Sequence, residues 1–549
     1  MPAAPHPLVL RGREALQRGD MRAVEAAAEE RLKTAGRDIN ALELRCIVQQ
    51  RRGQYGQAAR TLDTVIGIDP RADWAYNELV QLFMTHGKPE DAEKVARAAI
   101  RANPRNAHAH NLFGTILSEM NNLPSGEWHF RSALELSSPQ APVLMSLGVN
   151  LMRQGRVNEA DSFFAKAHEL APQDMKTLAY WSTLHESRGD LKRAGELLDQ
   201  AEAVSSPAEI NLLRANYLVR AGRPKEALAI LNEVETLAGE GHLVRGRVQD
   251  KLGNYPAAWD DFVAGKTKLL KSSPGTEYRA DAVDSLFERC KHFFTRENID
   301  LLPRAAQRPD TAQPVFIIAF PRSGAAQVEQ ILSSHSAVTA GGELPFVADM
   351  AKLAGNLFPG DERFPENLAH SWMADYHYAA TLFRDYYLAR AEQCGLLKQG
   401  CFTDRMPFNE IYLPLIRMAF PNARIIRVVR HPLDVCISML SNNMTYDFHC
   451  DYRIEDIANH LAAVFELVEH YRGQLELNEH VVRYETLVTD PAGETRRLLE
   501  YLGLPFEEAC LKKKLNGNSI DRYEHYYEGH LKPYVTRLEP LMKAYDYTL

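Results

Sequence analysis

The apolar run Pro314-Val315-Phe316-Ile317-Ile318-Ala319 leads into Phe320-Pro321-Arg322-Ser323-Gly324-Ala325-Ala326. From Gln327 a helical pattern begins, with Val328, Ile331 and Leu332 on one face. This reads as a buried parallel strand, a small-residue loop and a helix. Such a unit binds anions, because loop N–H groups point at the ligand and the helix dipole favours negative charge. Arg322 adds a planar fork of donors suited to phosphate. A second run, Arg424-Ile425-Ile426-Arg427-Val428-Val429, ends in Arg430-His431-Pro432-Leu433-Asp434, and the next helix carries Ser438. A basic residue at a strand's end and a hydroxyl eight residues on can converge on one phosphate. An arginine there serves a surface ion pair equally well. No Lys-Ser or Lys-Thr closes the first loop, so the P-loop lysine and its magnesium-binding hydroxyl are missing, which argues against an ATPase or GTPase. The GxGxxG dinucleotide fingerprint is absent too.

The elements that must carry these residues occupy only half of the chain. Before them, Gly19, Gly53, Gly87, Asn121, Gly155 and Gly189 stand 34 residues apart, and Gly222 and Gly253 follow after 33 and 31. Five residues after the marks stand small residues, Ala58, Ala92, Gly126, Ala160, Ala194, Ala227 and Ala258, with Val24 the exception in the first unit. Pro70, Pro104 and Pro172 each come 17 residues after their mark, and Pro139 comes 18 after Asn121. A Gly or Asn tolerates the left-handed turn that reverses the chain. A small residue lets two helix backbones approach, and a proline ends the unit. The pattern resembles the tetratricopeptide repeat, a helix–turn–helix of 34 residues. Seven units follow a degenerate first one. Arrays of this kind offer a concave surface to peptides or partner proteins, and some only hold an attached domain.

Composition bounds the rest. The 549 residues are 45% apolar and 25% charged, as in a soluble globular protein. Lys plus Arg is 64 and Asp plus Glu is 72, a net charge of −8. A mildly acidic chain is a poor nucleic-acid binder. The seven cysteines include no CxxC, which argues against a disulfide framework or zinc site and for a reducing compartment. His335, His431, His525 and His530 lack metal-ligand spacing and read as surface or capping residues, so no metal is expected. No apolar run is long enough to span a bilayer, and Met1 to Gly19 lacks a signal-peptide core. The expected location is the cytoplasm.

The run from Phe320 to Leu344, with Phe-Pro-Arg-Ser-Gly, Val-Glu-Gln-Ile-Leu-Ser-Ser-His and Ala-Gly-Gly-Glu-Leu, resembles the 5′-phosphosulfate loop of sulfotransferases. Arg430 to Ser438 resembles their 3′-phosphate site. Val482 to Leu487, Asp490-Pro491 and Leu502-Gly503-Leu504-Pro505 resemble the segments that follow, and the catalytic domain is similar to protein-tyrosine sulfotransferases. The resemblance covers about residues 314–505. It implies a sulfuryl donor, 3′-phosphoadenosine 5′-phosphosulfate (PAPS), and no metal. It assigns the 5′-phosphosulfate to Arg322, Ser323, Gly324, Ala325 and Ala326. It assigns the 3′-phosphate to Arg430 and Ser438, and places Tyr484 near the nucleotide. Glu343 aligns with a catalytic base, and Arg405 with a lysine that neutralises charge on the transferring group.

Sulfuryl transfer, like phosphoryl transfer, depends on in-line positioning and charge stabilisation, and the acceptor hydroxyl needs a base. Glu343 reads equally as a solvated loop carboxylate or helix cap, and Arg405 as the partner of Asp404 or a neighbour. Three departures from the family stand out. Ala325 and Ala326 replace two threonines, Arg405 replaces a lysine, and a basic lid is cut short between Lys512 and Asn518.

The expected architecture is an all-α repeat solenoid over 8–268, a helical linker over 269–313, and a three-layer α/β domain with a mostly parallel, P-loop-like sheet over 314–549. Within the linker, Ser272-Ser273-Pro274-Gly275 reads as a break, Arg279 to Phe294 as a helix, and Pro303 to Pro314 as the lead into the new domain. The expected function is PAPS-dependent sulfation of a hydroxyl on a protein, peptide or glycan, with the repeats binding acceptor or partner. The alternative is a sulfotransferase-like scaffold without turnover.

Overall fold

A computed structural model describes the chain except residues 1–4, 121, 206, 273–276, 399, 445–448 and 513–519, and the side chains of 207–209. The repeat mark Asn121, most of the expected break at Ser273-Pro274-Gly275, and the lid run beyond Lys512 lie outside the described residues.

From Pro7–Gln17 to Tyr255–Ser272 sixteen helices follow one another, and consecutive helices pack as antiparallel-type pairs such as Pro7–Gln17 with Met21–Thr34 and Gly239–Lys251 with Tyr255–Ser272. Gly19, Gly53, Gly87, Gly155, Gly189, Gly222 and Gly253 all have φ between 65° and 81°. They provide the left-handed turns that the 34-residue period requires. Ala58, Ala92, Ala160, Ala194, Ala227 and Ala258 are fully buried where paired helices cross. The last repeat helix runs to Ser272, four residues beyond the expected end of the array.

Two compact units divide the chain inside the array. The first runs to Leu184, and its helices bury small, branched and aromatic residues such as Ala58, Leu62 and Phe164. The second starts at His185 and includes the last repeats and the whole C-terminal half.

In the second unit, helices Ala280–Phe293 and Arg296–Leu301 precede the sheet. The segment before β1 is packed: Leu302 and Ala305 are buried, and Ala305 N donates to Met418 O at 2.8 Å. The strands are β1 (Gln313–Ile318), β2 (Val338–Thr339), β3 (Cys401–Asp404), β4 (Arg424–Val429) and β5 (Glu479–Arg483). Their order is β2-β3-β1-β4-β5 and every pairing is parallel. Phe316 and Ile318 face one core, with Phe346, Phe383, Tyr387 and Leu467. Val315 and Ile317 face another, with Val328, Leu332, Val428 and Leu498. A strand buried on both faces needs helices on both sides, so the domain has three layers. The chain runs from β1 out to β2 on one side and later from β3 past β1 to β4 on the other, so the connections diverge at β1. Ligands of open α/β sheets bind at such a point, beyond the strands' carboxyl ends.

Candidate functional site

β1 delivers the chain into the loop before helix Ala325–Leu332. Arg322 has φ of 69° and Gly324 φ of 109°, so two left-handed residues fold the loop back over the strand end. Ser323 N donates to Phe320 O at 3.1 Å. A Cβ on Gly324 would sit 2.4 Å from Cδ2 of Tyr484, so glycine is required by both conformation and contact. Among the described residues no side chain caps this helix, so its first N–H groups have no intrahelical partner. Ala325 is half-buried at the first helical position and Ala326 is exposed at the second.

Arg430 follows directly on β4 and is 3% exposed. Its Nη1 donates to Arg322 O at 3.1 Å and its Nη2 to Asp434 Oδ2 at 3.2 Å. Its guanidinium lies 4.9 Å from the Tyr484 ring centroid. Helix Pro432–Leu440 carries Ser438, whose Oγ accepts from Arg322 Nε at 2.9 Å. The expected phosphosulfate and 3′-phosphate residues therefore form one cluster of Arg322, Gly324, Arg430, Ser438 and Tyr484, with Ser323 buried beneath it. Among the described residues Arg322 has no carboxylate partner. Burial, and then the positive charges of Arg430, Arg247 and Arg522, push its pKa down to about 10. A buried guanidinium among other cations attracts an anion.

The second cluster forms at the end of β3. Arg405 does not pair with its neighbour Asp404. Its Nε donates to Glu329 Oε2 at 2.6 Å and its Nη1 to Glu343 Oε1 at 2.5 Å. Burial alone would lower the Arg405 pKa, but the two carboxylates outweigh it and hold the group above its ordinary value. Glu329 Oε1 also accepts from Thr403 Oγ1 at 2.6 Å and from Gly342 N at 2.9 Å. Arg405 N donates to Gly342 O at 2.9 Å. A Cβ on Gly341 would lie 2.0 Å from Thr403 O, so the Gly-Gly turn before Glu343 must approach β3 without a side chain. Asp404 instead accepts from Tyr387 OH at 2.7 Å and Met406 N at 2.9 Å.

Helix Ala325–Leu332 links the clusters. Its N-terminus belongs to the first and Glu329 to the second. Sequence reasoning missed Glu329, Thr403 and Asp434. Glu329 left one trace, a carboxylate beside Val328 on a helix whose apolar residues face the core. His335 and His431, read as surface or capping residues, are buried. His335 Nε2 contacts Pro505 O at 2.9 Å, and the His431 ring stacks on Tyr523 at 4.0 Å. Among the described residues, no group of three His, Cys, Asp or Glu side chains is placed to hold a metal ion. No described helix is long and apolar enough to cross a membrane.

Residues 314–508 match the sulfotransferase family and residues 50–114 match a tetratricopeptide repeat. The chain thus combines a tetratricopeptide-repeat region with a sulfotransferase-family domain. It is similar to an uncharacterized protein of Aquifex aeolicus (strain VF5), with 26% identity over 428 residues, 72% of this chain and 54% of the relative. Protein O-mannosyl-transferase Tmtc1 of Drosophila melanogaster is 32% identical over 103 residues, 18% of this chain and 12% of that protein. The chain therefore spans about half the length of the Aquifex relative and less of the other. Among solved structures, a tetratricopeptide repeat protein from Parabacteroides merdae ATCC 43184 covers 44% of this chain and 97% of its own, at 15% identity and TM-score 0.39.

Proposed function

We propose that the C-terminal domain transfers a sulfuryl group from PAPS to a hydroxyl acceptor on a protein, peptide or glycan, and that the repeats help to bind the acceptor or its carrier. One observation carries the reading. Arg322 has no carboxylate among the described residues and stands at a helix N-terminus that none of them caps with a side chain, beside Arg430 and Ser438. That arrangement suits a ligand with phosphate and sulfate groups.

PAPS would bring an activated sulfuryl group. In the transfer, the bond from sulfur to the donor's phosphate oxygen breaks, and a bond from sulfur to the acceptor oxygen forms. The acceptor's proton must leave. Glu343 is the proposed base, with its Oε1 held by Arg405 Nη1 at the edge of the cluster. Arg405 is the proposed neutraliser of charge on the transferring group. With Glu329 gripping its Nε, Arg405 keeps one anchor if Nη1 turns from Glu343 to the sulfuryl oxygens. Arg322, Ser323 and the N–H groups from Gly324 to Ala326 would hold the phosphosulfate, and Arg430, Ser438 and Tyr484 the adenosine 3′-phosphate end.

The second reading, a scaffold without turnover, draws support from Ala325 and Ala326. Neither offers a hydroxyl to the phosphosulfate, and each lost charge-assisted hydrogen bond costs about 1.5–3 kcal/mol. The deciding experiment has two readouts. Thermal-shift titration with adenosine 3′,5′-bisphosphate tests the nucleotide site. Transfer of labelled sulfate from PAPS to peptide and glycan hydroxyls tests turnover. A shift with transfer supports the enzyme, and a shift without transfer supports the scaffold. No shift at millimolar nucleotide removes the donor assignment.

A further inference from the structure

Three arginines from distant parts of the chain converge on one turn, the Ser438–Ser441 end of helix Pro432–Leu440. Arg322 Nε donates to Ser438 Oγ at 2.9 Å. Arg247 Nη1 donates to Ser441 O at 2.9 Å. Arg522 Nη1 donates to Ser441 Oγ at 3.1 Å. Arg430 joins them through the carbonyl of Arg322. Arg247 belongs to the last repeat, on helix Gly239–Lys251, and Arg522 opens the 3-10 turn Arg522–His525. Both lie in the same compact unit as the α/β domain.

The charges around this turn do not balance. Arg430 faces Asp434 at 3.2 Å, and Arg522 faces Asp250 at 3.1 Å. Among the described residues Arg247 faces only Glu240, at 3.7 Å and itself 40% exposed. Arg322 has no carboxylate among the described residues. The nearby Lys266 is matched by Asp451 and adds no excess. Burial lowers the Arg247 pKa, with Glu240 opposing the shift and Arg522 reinforcing it. Arg247 donates to a carbonyl of the turn, whereas Arg322 and Arg522 donate to hydroxyl oxygens and Arg430 to a different loop, and a single cation near the last carbonyls satisfies the dipole. Four guanidinium groups exceed that need and repel one another.

We infer that Arg247, from the repeat array, and Arg522 are ligands of the phosphate monoester of the donor nucleotide, alongside Arg430 and Ser438. The last repeat is then a wall of the donor site rather than a separate acceptor module. A phosphate monoester carries close to two negative charges at neutral pH and accepts several guanidinium donors at once. This inference rests on the donor assignment above and adds the repeat to it.

The test compares two nucleotides by isothermal titration on the full chain. Adenosine 3′,5′-bisphosphate has the monoester in question, and adenosine 5′-monophosphate lacks it. Arg247→Gln removes the charge but leaves an amide donor for Ser441 O. The expected result is a roughly ten- to hundredfold loss of bisphosphate affinity, the range for one charge-assisted contact, with monophosphate affinity changed less than about threefold. A ratio of affinities equal to wild type means that Arg247 only holds the turn, and overturns the inference. Because the measure is a ratio, partial unfolding of the variant does not imitate the effect. Arg522→Gln gives a second reading of the same ratio if Arg247→Gln fails to fold. Wild-type protein that ignores the bisphosphate removes the donor assignment itself. Wild-type binding that survives both substitutions removes only the role given to the repeat and Arg522.

Discussion

Arg322 Nε donates to Ser438 Oγ across 2.9 Å, although 116 residues separate them in the chain. The bond joins the turn after β1 to the helix after β4, the two strand ends expected to hold opposite ends of one nucleotide. With Arg430 donating to the Arg322 carbonyl, the two turns form a single cationic surface. Substituting either arginine should therefore affect the same ligand. Arg322→Ala and Arg430→Ala are each expected to abolish the thermal shift given by adenosine 3′,5′-bisphosphate. Saturating wild type at about 100 times Kd should give ~2.7 kcal/mol of stabilisation. A full shift in Arg430→Ala would detach the site from its arginines.

Gly324 is constrained twice, by φ of 109° and by the Tyr484 ring where its Cβ would fall. Gly324→Ala should lower stability by ~1–3 kcal/mol through backbone strain, with steric conflict in addition. Tyr484→Ala should relieve the conflict but not the strain. The double variant is therefore expected to be destabilised by less than the sum of the singles. Urea titration of the four proteins reads this non-additivity. Strict additivity would mean that loop and ring do not meet.

Glu329 holds Arg405 and the turn before Glu343 at once, which under the proposed function makes it a positioning residue. Glu329→Gln should leave nucleotide affinity within about twofold, while sulfate transfer falls at least tenfold, about 1.4 kcal/mol in the transition state. Arg405→Lys should lose less activity than Arg405→Ala, because it retains the charge but not the two-pronged grip. Equal loss of nucleotide binding and transfer in Glu329→Gln would mean that the helix itself had moved.

The sequence disclosed the parts of this domain that follow local rules. Left-handed glycines recur with a period, so the repeat turns were legible from the common spacing of Gly53, Gly87, Gly155 and Gly189. The apolar run of β1 and the small-residue loop after it announced a strand, a turn and a helix. What joins the parts was not legible. Glu329 reads as an ordinary helical glutamate until the fold brings Thr403 and Arg405 against it. Arg247 reads as one repeat arginine among many until Ser441, 194 residues later, is placed beside it. Arg405 was assigned a role by resemblance, but its two carboxylate partners depend on where β3 ends relative to helix Ala325–Leu332.

Glu410 offers a test through pH. It is fully buried below the site, and burial raises its pKa from 4.5 to about 7, against opposing hydrogen bonds from backbone N–H groups. Its Oε2 has no hydrogen-bond partner among the described residues. A carboxyl with a raised native pKa binds its proton more tightly when folded. Between about pH 4.5 and 7 the native state thus holds more protons than the unfolded state, and stability from this group declines as pH rises. The contribution is complete below the unfolded pKa and is lost as pH climbs through the folded one. Glu410→Gln removes the titration at nearly constant volume. Its stability relative to wild type should increase across that window, by roughly 3 kcal/mol in all, and level off above it. Urea titrations at half-unit intervals from pH 4.5 to 8 measure the slope. A difference independent of pH would show that Glu410 stays ionised in the folded protein, and would require a cation or water at Oε2 to pay for its burial.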